Sequence, residues 1–211
     1  MNNKPMPHIF WGKYSPLAML SGVGLLIMAS SRLAYALIAA LALLWVDVMS
    51  VLVYKAAYKV MPREGKHLIL VFIASFFAST FLLLLWLLSP INALELFFVI
   101  CLIPFFSISS GVFMRVESLE LSGAVTRALG ESVATSILLI IFSIIREPLG
   151  FLSLSIPGGV QGIITFFEFK KSAFFPIQII ASSCGALMLL GYGVSLYNVF
   201  RKRNAPREDI S

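Results

Sequence analysis

Charge is what this chain has least of: Asp, Glu, Lys and Arg together make up 12% of its 211 residues. Soluble domains carry about twice that share, so a water-soluble enzyme or binding domain is excluded first. Cysteine is nearly absent too. Cys101 and Cys184 both lie in apolar segments without C-x-x-C spacing or a neighbouring histidine, which excludes a disulfide framework and a zinc site. The two histidines, His8 and His67, fall near the ends of apolar runs and read as interfacial residues rather than ligands. No phosphate loop, nucleophile elbow or metal-ligand helix occurs.

What remains is apolar. Hydrophobic residues are 59% of the chain, Phe alone occurs 18 times, and the mean hydropathy is +0.95. This composition predicts an all-α polytopic membrane protein, with the lipid bilayer as its solvent. The net charge of +6 comes from basic residues in short loops, so it signals membrane topology and not a nucleic-acid partner.

Taken in order, the apolar runs predict six transmembrane helices in a single transmembrane domain. The first, 17–29, is short for a ~30 Å hydrocarbon core; either 9–14 extends it along the interface or it is a partial span. Lys4 and Lys13 before it superficially resemble a signal peptide, but no small-x-small cleavage pattern follows, and the segment reads as retained. The second run, 33–54, carries Asp47; the third, 68–88, is uninterrupted. The fourth starts near Ala93 and runs into Ile103-Pro104-Phe-Phe-Ser-Ile-Ser-Ser110-Gly111. The fifth, 132–145, stops at Arg146-Glu147-Pro148 and, like the first, is short unless 124–130 form part of it. A breaker-rich stretch, 149–172, reads as interfacial. The sixth, 173–200, precedes a polar tail at 201–211.

With the N-terminus cytoplasmic, the inner loops and tails hold Lys4, Lys13, Lys55, Lys59, Arg63, Lys66, Arg115, Arg127, Arg201, Lys202, Arg203 and Arg207. The outer loops hold only Arg32, Arg146, Lys170 and Lys171. The excess predicts a multi-pass protein of the inner (cytoplasmic) membrane with both termini in the cytoplasm.

Two features point to function. An intramembrane carboxylate is a functional candidate by default, although Asp47 is also close enough to the Lys55 end of its run to pair with a lysine. Pro104 cannot complete a helical ladder, and non-helical backbone at membrane depth is tolerated where protein or a water-filled cavity satisfies it. A weak echo joins the two halves: Pro16 is followed by Ser21-Gly22-Val23, and Pro104 by Ser110-Gly111-Val112. Three spans separate them, so they enter from opposite sides, as in an inverted repeat of three plus three with broken helices 1 and 4. The halves are about 9–88 and 93–200.

The second half carries a resemblance. Ile103-Pro104, Arg115-Val116-Glu117, Leu129-Gly130-Glu131-Ser132, Ser143-Ile-Ile-Arg146-Glu147-Pro148-Leu149-Gly150 and Ser155-Ile-Pro157-Gly158 resemble the integral membrane subunits shared by the Rnf electron transport complex and the sodium-translocating NADH:quinone reductase. The E-type chain of Rnf and the D-type chain of the reductase are the nearest kinds. The similarity covers about Ser15 to the C-terminal tail. It implies a translocating oxidoreductase of ferredoxin:NAD or NADH:quinone type, in which this chain lies beside an oppositely oriented A-type partner.

In that family a cysteine in each of two broken helices binds a [2Fe-2S] cluster. The alignment places these ligands at Gly24 and Ser110, neither of which supplies a thiolate. The resemblance therefore implies a subunit that supports redox-coupled sodium or proton movement without its own cluster. Asp47, Glu117, Arg146 and Glu147 are then the candidates for ion passage or subunit contact. A stand-alone small transporter or channel, and a structural or assembly protein, are the alternatives. Reporter fusions test the topology: a fluorescent protein on the C-terminus should fluoresce, and alkaline phosphatase there should be inactive; an active phosphatase would overturn it.

Overall fold

The computed structural model describes residues 20–58, 61, 66–168 and 178–204. Pro16, the 9–14 segment and the basic N-terminus lie outside the described residues, as does the side chain of Ser21.

Among the described residues, four helices are long and apolar enough to cross a membrane, because a chain in hydrocarbon must satisfy its backbone within helices or closed barrels. The protein is a polytopic, essentially all-α membrane protein. Helix α1, Leu20–Ala29, turns at Ser30–Arg32 into α2, Leu33–Ala57. Helix α3, Lys66–Leu88, is followed within two residues by α4, Pro90–Ser109. A short helix α5, Val112–Val116, precedes the longest element, α6, Leu121–Phe151. A hairpin of β1, Ser153–Pro157, and β2, Ile163–Glu168, comes next. Then α7, Gln178–Ala181, leads into α8, Ser183–Asn204, whose apolar part is 183–196.

Two expectations are corrected. Pro104 does not break its helix: α4 continues past it to Ser109. A single proline removes one ladder bond, whereas the chain turns out of α4 only at Ser110–Gly111. There Gly111 takes φ 72°, a left-handed conformation that costs an L-residue about 1–2 kcal/mol. The second correction concerns Arg146-Glu147-Pro148, which does not end the fifth span. Helix α6 runs to Phe151, and Leu152 closes it with φ 54°, its N–H bonded to Pro148 O at 3.1 Å. Tight packing holds this last turn, since a Cβ on Gly150 would stand 2.9 Å from that of Ala181.

The breaker-rich stretch after it is also more ordered than its composition suggests. Strands β1 and β2 pair antiparallel from Ser153↔Glu168 to Pro157↔Ile163, with an irregularity at Leu154/Ser155. The hairpin tip is pinned to the start of α4: Asn92 Nδ2 donates to Gly162 O at 2.9 Å, and Ser89 Oγ donates to Gly159 O.

The main apolar core joins α1, α2, α3 and α4, and α6 packs along α2 beside it in a polar-containing seam. Among the residues buried on α2 are Ala36, Ala39, Ala40, Leu43, Asp47 and Ser50, and on α6 Ala124, Ala128, Ser132, Ser136, Leu139 and Ser143. Small residues of this kind let two backbones approach closely in a membrane. Polar contacts join Leu33 to Glu147, Ala40 to Ser136 and Asp47 to Ser132, so the helices run antiparallel.

Gly24 and Gly111 differ in what they demand. A Cβ at Gly24 would meet Leu102 at an ordinary 3.7 Å, whereas Gly111 is left-handed. Gly111→Val should destabilise the protein by about 1–2 kcal/mol, and Gly24→Ala should fall within about 0.5 kcal/mol of the parent. Unfolding in detergent measures both; equal effects would remove the special status of the Gly111 turn.

Candidate functional site

The four candidate residues do not converge on one site; they occupy three levels of the seam. At one end, Arg146 and Glu147 are adjacent on α6 and almost wholly buried, 1% and 0% exposed. All five guanidinium hydrogens have acceptors. Nη1 donates to Ile27 O at 2.7 Å and Ser30 Oγ at 2.8 Å. Nε donates to Ile180 O at 3.0 Å, and Nη2 to Ala181 O at 2.8 Å and Ser182 O at 3.0 Å. These carbonyls close α1 and α7. The last turn of a helix leaves unpaired carbonyls with partial negative charge, so the cation is compensated by peptide dipoles rather than by a carboxylate.

Glu147 does the converse. Its Oε2 accepts the N–H of Leu33 at 2.7 Å, the first residue of α2, where helix dipoles favour an anion. The next N–H, Ala34, donates to Ser155 Oγ of β1 at 3.5 Å. Arg32, at the N-cap of α2, provides no side-chain cap, so the helix is capped entirely from afar. The Arg146–Glu147 pair therefore clamps the α1–α2 turn, cation on the outgoing end and anion on the incoming end. Oε1 of Glu147 has no hydrogen-bond partner among the described residues.

Near the middle of the seam, Asp47 is 2% exposed. Ser107 of α4 donates its hydroxyl to Oδ1, and Ser132 of α6 donates to Oδ2 at 2.6 Å. Asp47 is not paired with Lys55, the alternative left open by the spacing. Lys55 Nζ instead donates to Glu117 O at 2.8 Å and Leu119 O at 2.6 Å. Sequence reasoning missed Ser107 and Ser132 as partners; the available signal was a serine one turn beyond Pro104 and another in the small-residue run of α6.

At the far end, Glu117 is an ion-pair residue outside the spans. It accepts Lys66 Nζ and, at 2.9 Å, the hydroxyl of Tyr58. Lys66, then Tyr58, hold its carboxyl below the usual range, and the hydrogen bond to Glu117 raises the Lys66 ammonium. Beside it, Arg115 grips Glu131 through Nε at 2.9 Å and through Nη2, and donates Nη1 to Ser110 O at 2.8 Å. Arg127 also reaches Glu131, at 3.0 Å.

The two positions where the resemblance expects cluster ligands do not suit iron. Ser110 is buried with its hydroxyl donated to Ser107 O at 2.8 Å, and Gly24 has no side chain. Cys101 and Cys184 are free and exposed. Among the described residues, no group of three His, Cys, Asp or Glu could hold a metal.

Removing the clamp should cost stability in a set order. Arg146→Ala leaves buried acceptors empty and should cost about 3–5 kcal/mol. Arg146→Lys keeps the charge but loses the planar fork, and should cost about half that. Glu147→Gln keeps an oxygen for Leu33 and should cost about 1 kcal/mol. Denaturant titration in detergent measures the order; a lysine variant as stable as the parent would show that the fork geometry is dispensable. Set against models of known families and against characterised proteins, the sequence finds no match.

Proposed function

We propose that this chain is an integral membrane subunit of an Rnf-like electron transport complex. It would support redox-coupled movement of sodium or protons from an inverted-repeat scaffold, without binding a [2Fe-2S] cluster itself. Redox chemistry would reside on cofactors of partner subunits, among them an oppositely oriented A-type chain.

The observation that carries this reading is a reciprocal pattern of capping. Arg146, near the end of α6, donates to Ile27 O in the last turn of α1, the short helix before α2, and to the Ser30 hydroxyl just beyond it. Lys55, near the end of α2, donates to carbonyls just beyond α5, the short helix before α6. The displacement that carries Ser21 onto Ser110 carries α1 across α5, and carries α2 onto 122–146, within α6. Short helix, turn and long antiparallel helix thus occur twice, each short helix held by a base from the opposite long one. An inverted repeat makes this arrangement. Helix α3 and helix α8 would complete the two halves, with the hairpin inserted before α8.

A second specific observation bears on ion passage. Asp47 is buried between the two long helices, bonded from α2 to Ser132 of α6, and inverted-repeat proteins place coupling-ion sites at the interface of their two halves. That position suits a translocating subunit better than a purely structural one.

The test is purification of the tagged chain from its native membranes under mild detergent. Flavin- or iron–sulfur-bearing subunits should come with it, and Asp47→Asn should reduce redox-driven ion uptake in the resulting vesicles at least tenfold. Recovery as a lone chain that moves a solute in liposomes would overturn the complex in favour of a small secondary transporter.

A further inference from the structure

The buried polar groups of the seam differ in what they are for. Two hydrogen bonds of Arg146 and the Leu33 cap of Glu147 serve the α1–α2 turn, and the other three of Arg146 serve the end of α7. Asp47 caps nothing and crosslinks no loop, yet it is buried between α2, α4 and α6.

Its surroundings allow two complete hydrogen-bond arrangements. Ser107 Oγ lies within reach of Asp47 Oδ1 and, at 3.0 Å, of Ile103 O one turn back on α4. Ser132 Oγ lies 2.6 Å from Asp47 Oδ2 and 2.9 Å from Ala128 O on α6. A hydroxyl has one hydrogen and two lone pairs, so each serine serves one acceptor at a time. With Asp47 ionised, both serines donate to it. With Asp47 protonated, it donates to one serine, which turns its own hydrogen to the carbonyl behind it. Neither state leaves a buried group unpaired, and no heavy atom needs to move.

The hydrogen bonds to Asp47 come from serine hydroxyls. Among the described residues, the basic groups at this end have partners of their own: Arg115 and Arg127 at Glu131, Lys66 at Glu117, and Lys55 at the carbonyls of Glu117 and Leu119. Glu131, next to Ser132 on α6, is of the same sign as Asp47. The described part of α1 and the span 68–88 of α3 carry no ionisable residue, and β1 carries none. On α4 there are only Glu95, bonded by Tyr35, and the exposed Cys101. Arg146 and Glu147 belong to the opposite end of the seam. A buried anion without a cation is costly, and a proton relieves that cost without needing space. A dehydrated metal ion would need a shell of oxygens where the serines already touch the carboxylate.

One further group points the same way. Ser50, about one turn along α2 towards the Lys55 end, is fully buried, and its hydroxyl has no hydrogen-bond partner among the described residues. An unmade hydrogen bond at such a site costs about 1–3 kcal/mol, which marks a place for a water or a transient donor.

We propose that Asp47 is a proton-binding site of the membrane interior, loaded from the Lys55 end past Ser50, with Ser107 and Ser132 exchanging their hydrogens between Asp47 and their own helices. The step adds a proton from water to a carboxylate oxygen and returns it; no electrons move. It rests on the ion-passage part of the reading above and names H⁺ as the ion, and it does not depend on which subunits surround the chain.

Infrared difference spectroscopy of the full chain in nanodiscs, between alkaline and acidic buffer, tests it. A protonated-carboxyl C=O band should grow on acidification, vanish in Asp47→Asn, and shift in Ser132→Ala, which leaves the carboxyl in place but removes a hydrogen-bond partner. Exchange of sodium for potassium at constant pH should leave the band unchanged. A band that persists in a folded Asp47→Asn, one that ignores Ser132→Ala, or one that sodium abolishes at constant pH would each overturn the proposal. If Asp47→Asn fails to fold, the Ser132→Ala shift and the sodium exchange decide. A titrating Asp47 in a chain that purifies alone would retain the proton site and discard the complex; redox partners around a silent Asp47 would do the reverse.

Discussion

Arg146 and Glu147, adjacent on α6, are the constraint on which the other elements depend. They bring a full positive and a full negative charge into a layer where either alone would be expensive, and neither neutralises the other directly. Each is matched to the partial charge of a helix end. The arginine gathers carbonyls from α1 and α7, and the glutamate takes the first N–H of α2. Three helix termini are thereby fixed against α6, which in turn defines the seam on which α2 lies. Pairing the two side chains to each other would have left those termini unsatisfied in a region with little water to serve them.

With the ends held, the middle of the seam can be built from small residues. Alanines and serines on both helices bury little apolar area each, but they allow the close approach on which van der Waals packing and interhelical hydrogen bonds depend. This is also why a carboxyl can be accommodated: hydroxyls on α4 and α6 reach Asp47 directly. Large side chains point outward instead. Phe72, Phe76, Leu83, Leu87, Phe97 and Phe105 are more than half exposed on α3 and α4, as expected of surfaces solvated by lipid tails.

Elements were legible where the cause was local. The runs 33–54 and 68–88 match α2 and α3 within a few residues, because continuous apolarity and tight Ser-containing turns are written in adjacent positions. Asp47 also stands out, since charge inside an apolar run is visible without a structure, whereas Arg146 and Glu147 read as the end of a span and become candidates only through the resemblance. The partners of all three were not legible. The acceptors of Arg146 are backbone carbonyls, which every residue has, and so leave no mark on the sequence. The sequence marks the break after α4 only as a stretch from Pro104 to Ser110-Gly111; the chain turns at its far end, where a left-handed φ needs glycine and Gly111 supplies it. The hairpin was hidden because its glycines and prolines look the same whether they end order or shape it.

The capping of α2 has a consequence for how the protein is made. Leu33 and Ala34 draw their partners from Glu147 and Ser155, 114 and 121 positions further along the chain. At synthesis rates of roughly 5–20 residues per second, α2 is complete for roughly 5–20 s before those partners exist. Through that interval its first amides must be served by interfacial water or by the insertion machinery, and the α1–α2 turn has no reason to be buried. The first half of this protein therefore waits in the membrane unfinished, and synthesis of the second half is the event that closes it.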